Sequence, residues 1–150
     1  MNNASTDQRI IIGCDHAAYH LKETLKSAMT SRGIDVTDVG THDEMSMDYP
    51  ETGKLVAQKV SSGEFERGIL ICGTGLGMSM VANKYPHVRA ALCNDLFSAA
   101  MSRRHNNANI LVMGGRVIGD ILALEILQTW LDTPFDGGRH QRRLDMFDQL

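Results

Sequence analysis

Short apolar runs alternate along this chain with longer stretches whose apolar residues recur at helical spacing. The runs Arg9-Ile-Ile-Ile-Gly13 and Gly68-Ile-Leu-Ile71 are continuous, the pattern of strands covered on both faces of a parallel sheet. Residues 35–39 alternate and read as another strand, and 89–93 and 109–113 bring the expected strands to five. Between them the spacing predicts helices over 17–31, ended by Gly33, over 50–61, opened by Pro50, and over 76–85, 94–104 and 120–131. After the break 133–138, residues 139–150 are expected as a last helix with a basic front.

Strands alternating with helices of this length predict the α/β class: a Rossmann-like, doubly wound, five-stranded parallel sheet with helices on both faces. The expected order is the flavodoxin-like 2-1-3-4-5, whose switch point lies between the first and third strands. The turns facing that crevice would be Cys14-Asp15-His16 and Cys72-Gly73-Thr74-Gly75, the two most chemically loaded in the chain. The reading is one domain over 9–150 behind a disordered polar tail, 1–8, with no internal repeat or linker.

Composition narrows the function. A net charge of -3 and a pI near 6.0 give no reason to expect nucleic acid or an anionic membrane, and 5% aromatic residues make stacking platforms for bases improbable. No apolar run approaches a membrane span, and the first seven residues lack a signal-peptide core. Three cysteines without framework spacing point to a reducing, cytoplasmic setting.

The stretch Cys72-Gly73-Thr74-Gly75-Leu76-Gly77 follows the third strand and opens a helix. Its spacing is neither that of a dinucleotide fold nor that of a P-loop. A strand, a glycine turn and a helix nevertheless make an anion cradle, because backbone N–H groups and the helix dipole both favour negative charge. A thiol at such a place ionises more readily than a free one. Alone, Cys72 reads as a small buried hydrophobe and Asp15 as an ordinary helix cap. His16 and His20 have the i, i+4 spacing of a zinc pair, but no third ligand is evident, and the cysteines contain no C-x-x-C. His105-Asn106 lies between a helix and a strand and is placed at the same carboxyl edge as Cys72. Arg139, Arg142 and Arg143 share a helical face beside His140, either a solvated stripe or a phosphate clamp.

Taken together, Gly13-Cys14-Asp15-His16, Asp48-Tyr49-Pro50, Ile71–Gly77, Ala82-Asn83-Lys84, Ser102–Asn106, Gly115-Arg116 and Gly137–Gln141 resemble the type B ribose-5-phosphate isomerases and their galactose-6-phosphate isomerase relatives. The resemblance runs in order from about Arg9 to the end. It implies a metal-independent, cofactor-free aldose–ketose isomerase that takes a sugar phosphate, ribose 5-phosphate and ribulose 5-phosphate, through an enediolate. Carried across, Cys72 resembles the base that moves a proton between C2 and C1, and Gly73, Thr74, Gly75, Leu76 and Gly77 the donors to the enediolate oxygens. Thr74 is also similar to a residue assisting proton movement. His105 resembles the ring-opening acid, with Asp15 nearby. His16, Arg116, Arg139 and Arg143 are similar to the phosphate and substrate contacts, Asn106 and Tyr49 to the sugar contacts. One branch of the family carries a glutamate base where this chain has Met78, so the cysteine branch is indicated.

The resemblance further implies a homodimer, with a tetramer as the alternative, in which His105 and Asn106 reach a neighbour's Cys72. The aliphatic side chains of 120–131 with Trp130 offer more apolar surface than one sheet face needs, which favours assembly. Two alternatives stand beside this reading: an isomerase of a six-carbon sugar phosphate such as allose or galactose 6-phosphate, and a non-catalytic sensor in which Asp95 imitates a ribose-binding acid.

Overall fold

Five parallel strands carry the fold: β1 (Arg9–Cys14), β2 (Asp35–Asp38), β3 (Arg67–Cys72), β4 (Ala90–Leu92) and β5 (Ile110–Gly114). The computed structural model describes residues 8–150. The expected polar tail, apart from Gln8, lies outside the described residues. Successive strand residues point to opposite faces and build two separate cores. Ile10, Ile12, Ile69, Ile71, Leu111 and Met113 pack under α1 (Tyr19–Ser31), α4 (Leu96–Arg104) and α5 (Asp120–Asp132). Ile11, Leu70, Cys72, Ile110 and Val112 pack under α2 (Pro50–Ser61) and α3 (Leu76–Ala82). Both faces are covered, which is why these strands read as unbroken apolar runs.

The sheet order is β2-β1-β3-β5-β4, not the expected 2-1-3-4-5. Burial explains the exchange. Every residue of β5 is buried, whereas β4 is three residues long and only half-buried. The longer apolar strand takes the interior position and the short one the edge, where fewer of its groups leave water. The switch point between β1 and β3 is where the sequence placed it.

Local chemistry adjusts the expected helix limits. Asp15 accepts the Ala17 N–H at 3.1 Å and tightens residues 16–18 into a 3-10 turn before α1. Asn83 ends α3 early, because its amide brackets Ala90 with bonds of 3.0 and 2.9 Å, as a neighbouring strand would. The last helix, α6 (Arg139–Asp145), stops short of residue 150, and Asp148 pairs instead with Arg89 at 3.0 Å. Trp130 is fully buried in the chain's own core, so it offers no surface to a partner. The exposed large apolar side chains of α5 are Ile121 and Leu122. Among the described residues no helix is long and apolar enough to cross a membrane.

Candidate active site

The cradle is built at the carboxyl end of β3. Gly75 turns the chain into α3 with a φ of 79°, a region that an L side chain enters only under strain. That turn brings the Gly75 N–H to the Cys72 Sγ at 3.2 Å. Thr74 Oγ1 accepts the Leu76 N–H at 3.2 Å. The next N–H groups of the first helical turn, Gly77 and Met78, have no intrahelical acceptor by helix geometry, which suits them to an oxyanion. A side chain at Gly77 would come within 2.5 Å of the Tyr49 ring, so glycine is what lets Tyr49 lie against the cradle. Met78 is fully buried and packs towards Gly53 of α2.

Neighbouring strand ends supply the rest of this edge. The Asp15 N–H donates to Ile71 O at 3.1 Å, which sets the β1 turn beside the cradle, and Asp15 is buried. The Gly115 and Arg116 N–H groups donate to Cys72 O and Gly73 O at 2.8 and 2.9 Å. The Arg116 side chain consequently runs over Gly73, within 4 Å of where a Cβ would stand. His16 Nδ1 accepts the Met47 N–H at 3.2 Å, so the neutral ring carries its proton on Nε2, the nitrogen left to donate. His20 is exposed and pairs with Glu44 at 2.9 Å.

The three strand-end thiols do not converge. Burial pushes Cys14 up to about 12 and Cys93 to about 11, which makes them inert near neutrality. Both pack in the core under α1, α4 and α5, whereas Cys72 lies on the opposite face of the sheet.

His105 and Asn106 are not at this edge. They lead into β5, and all strands are parallel, so they lie at the amino edge of the sheet. The contacts agree: Arg89 Nε, ahead of β4, donates to Asn106 O at 3.1 Å, and the Gly68 N–H, at the start of β3, donates to Asn109 O at 2.9 Å. The correction follows from chain direction, since a helix-to-strand connection in a parallel sheet returns to the amino edge. From Ile110 to Gly114 the strand alone spans roughly 13 Å at about 3.3 Å per residue. Arg139 and Arg143 belong to this second group, because they share α6 with His140, whose ring stacks on His105. The structure therefore sorts the expected residues into two sets. Asp15, His16, Tyr49, residues 72–77 and Arg116 stand at one edge, and His105, Asn106, Arg139 and Arg143 at the other.

Ligand atoms of His105, Asp136 and His140 lie within 4.8 Å of one another. The two rings are nearly parallel, at 8°, and direct their in-plane lone pairs along separate planes. An ion about 2.0–2.1 Å from a nitrogen of each would require one ring to turn. Arg104 already holds the Asp136 carboxylate at 3.1 Å. A cavity of about 730 Å³ also opens at this edge, lined by Lys84, Arg89, Asn106 and Phe147 among others, and Cys72 is not part of it. Asp95, the acid of the sensor reading, caps α4 by accepting the Ser98 N–H at 2.7 Å.

The ribose/galactose isomerase family model matches residues 10–147. Ribose-5-phosphate isomerase B of Escherichia coli (strain K12) is 44% identical over 138 residues, covering 92% of this chain and 93% of that one. A solved structure of Clostridium thermocellum ribose-5-phosphate isomerase B superposes with a TM-score of 0.92 at 51% identity, over 94% of this chain and 95% of its own. The Mycoplasma genitalium ribose-5-phosphate isomerase B, crystallised with bound ribulose-5-phosphate, superposes with a TM-score of 0.91 at 38% identity over 94% of each chain.

Proposed function

The chain belongs to the ribose/galactose isomerase family, and from that premise we propose that it is an aldose–ketose isomerase interconverting ribose 5-phosphate and ribulose 5-phosphate. The observation that carries the mechanism is the Cys72 thiol, set at the end of β3 with the Gly75 N–H on its sulfur and the first turn of α3 beside it. A thiolate so held takes the C2 proton of the open-chain aldose. The resulting enediolate keeps its charge on the two oxygens, where the N–H groups of the 73–77 loop receive it, and protonation at C1 gives the ketose. The Thr74 hydroxyl moves the proton between those oxygens. Arg116 and His16 hold substrate at the same edge, and Tyr49 bounds the sugar. Remote binding of the phosphate presses the reacting carbons onto the base.

Ring opening needs an acid, the part we assign to His105 with Asp15 nearby. His105, Asn106, Arg139 and Arg143 stand at the far edge of the chain's own sheet, so they serve this chemistry through a second copy. In the proposed homodimer each site joins the carboxyl edge of one protomer to the amino edge of its partner. Exposed Leu76 and Met80 on α3 and Leu96 and Phe97 at the start of α4 give that assembly apolar surface.

The test is a side-by-side assay of ribose 5-phosphate, allose 6-phosphate and galactose 6-phosphate, with the ketose product followed directly. The highest kcat/KM is expected for ribose 5-phosphate. Faster conversion of a six-carbon aldose moves the substrate to that class, and binding without conversion of any of them returns the sensor reading.

A further inference from the structure

Asn106 and the residues around it are fixed through their backbone, but that does not fix the His105 ring. Arg103 Nη1 donates to Asn107 Oδ1 at 3.0 Å and to Ala108 O at 2.6 Å. Arg89 Nε donates to the carbonyls of Asn106 and Asn107, both at 3.1 Å. The turn after α4 is thereby held, while rotation about the two side-chain bonds of His105 is free of these contacts, and the second of them has a broad, shallow potential. A proton donor with a loosely set ring plane is a poor one.

His140 supplies the missing constraint. Its ring lies on that of His105 with centroids 4.3 Å apart and planes within 8°. His140 is itself buried, in the first turn of α6. The approach to α6 is tied back to α4, since the Asp136 N–H donates to Arg104 O at 3.0 Å and Arg104 pairs with the Asp136 carboxylate at 3.1 Å. We propose that His140 is a positioning residue whose imidazole, stacked on His105, sets the plane in which His105 delivers its proton. This rests on the ring-opening reading of His105.

The charges around the pair support the assignment of roles. His140 is held below the ordinary histidine range, first by its burial and then by His105, Arg139 and Arg143, against a smaller opposite pull from Asp136. Arg104 offsets that carboxylate from α4. His140 then shows His105 the face of an aromatic ring that carries no charge of its own.

The test is a double-mutant cycle read on ribose 5-phosphate. His140→Ala is expected to lower kcat about ten- to a hundredfold while KM stays within about threefold. His140→Phe, which restores a flat face and has no titrating nitrogen, should return to within about fivefold of wild type. In a His105→Asn background, His140→Ala should change nothing further, because its effect passes through His105. His140→Leu, of similar volume without a flat face, replaces alanine if that variant does not fold. Phenylalanine performing no better than alanine or leucine would overturn the proposal, as would an equal loss from His140→Ala with and without His105. So would wild-type kcat in the alanine and leucine variants. A His105→Asn chain that turns over normally strikes the ring-opening reading itself. Collapse of that variant beside an unaffected His140→Ala strikes only the stacking proposal.

Discussion

Cys72 and Gly75 are joined across the cradle: the sulfur accepts the glycine N–H at 3.2 Å, and only a turn with the positive φ of Gly75 brings the two together. The strand-end thiols of Cys14 and Cys93 pack in the opposite core, where burial raises them.

Cys72→Ser is therefore expected to lose turnover by about a hundredfold or more, the contribution of a positioned general base, with KM nearly unchanged. A serine hydroxyl fits the same place but does not ionise near neutral pH. Steady-state kinetics on ribose 5-phosphate decide it, and normal kcat in the variant removes Cys72 from the mechanism.

Arg139→Ala and Arg143→Ala should each weaken phosphorylated substrates by about ten- to a hundredfold, for charge-assisted bonds worth roughly 1.5–3 kcal/mol. Inorganic phosphate should compete with substrate in the wild type and less so in either variant. Equal competition in all three assigns the stripe to solvent.

The separation of Cys72 from His105 makes a quantitative prediction for mixed assemblies. Cys72→Ala and His105→Ala chains should each be nearly inactive. After subunit exchange, half of the dimers are mixed, and each of these holds one intact site of two, so about a quarter of wild-type activity returns. Verified exchange without recovery places both residues in one chain's site.

Asp38 should make the fold sensitive to acid. Burial raises its carboxyl, but hydrogen bonds from Lys22 and Lys26 and the Gly40 N–H outweigh it, and the group lies below its usual range. The stability it contributes is complete above the unfolded value of about 3.9 and is lost as pH falls through the lower folded value. Asp38→Asn leaves the fully buried Lys22 with Glu23, at 3.2 Å, as its carboxylate, and should cost about 3 kcal/mol at neutral pH. Urea unfolding at pH 7 and near pH 3 measures both effects. The gap between variant and wild type should narrow in acid, and equal stability at pH 7 makes the ion pair neutral.

The sequence by itself determined the class of the fold, the five strands and the cradle, because these depend on local order. A buried parallel strand must be apolar throughout, and a turn that brings N–H groups to a thiol must have glycine at Gly75. Helix direction was equally legible, and with it the amino-edge position of His105: α4 precedes β5, so the chain must return there. The expectation that set His105 beside Cys72 overlooked that direction. Only the tertiary structure decided which strand took the interior. Ile110–Gly114 outcompetes Ala90–Leu92 for the interior place beside β3 through total burial, a property of the packed sheet that no single segment encodes. The fate of Trp130 was decided the same way, since an apolar residue on a helix serves a core or a partner according to what packs against it. The stack of His105 on His140 joins residues 35 positions apart, and it exists because α4 and α6 meet there. A contact between distant segments is set by how whole elements pack, and residue spacing along the chain carries no record of it.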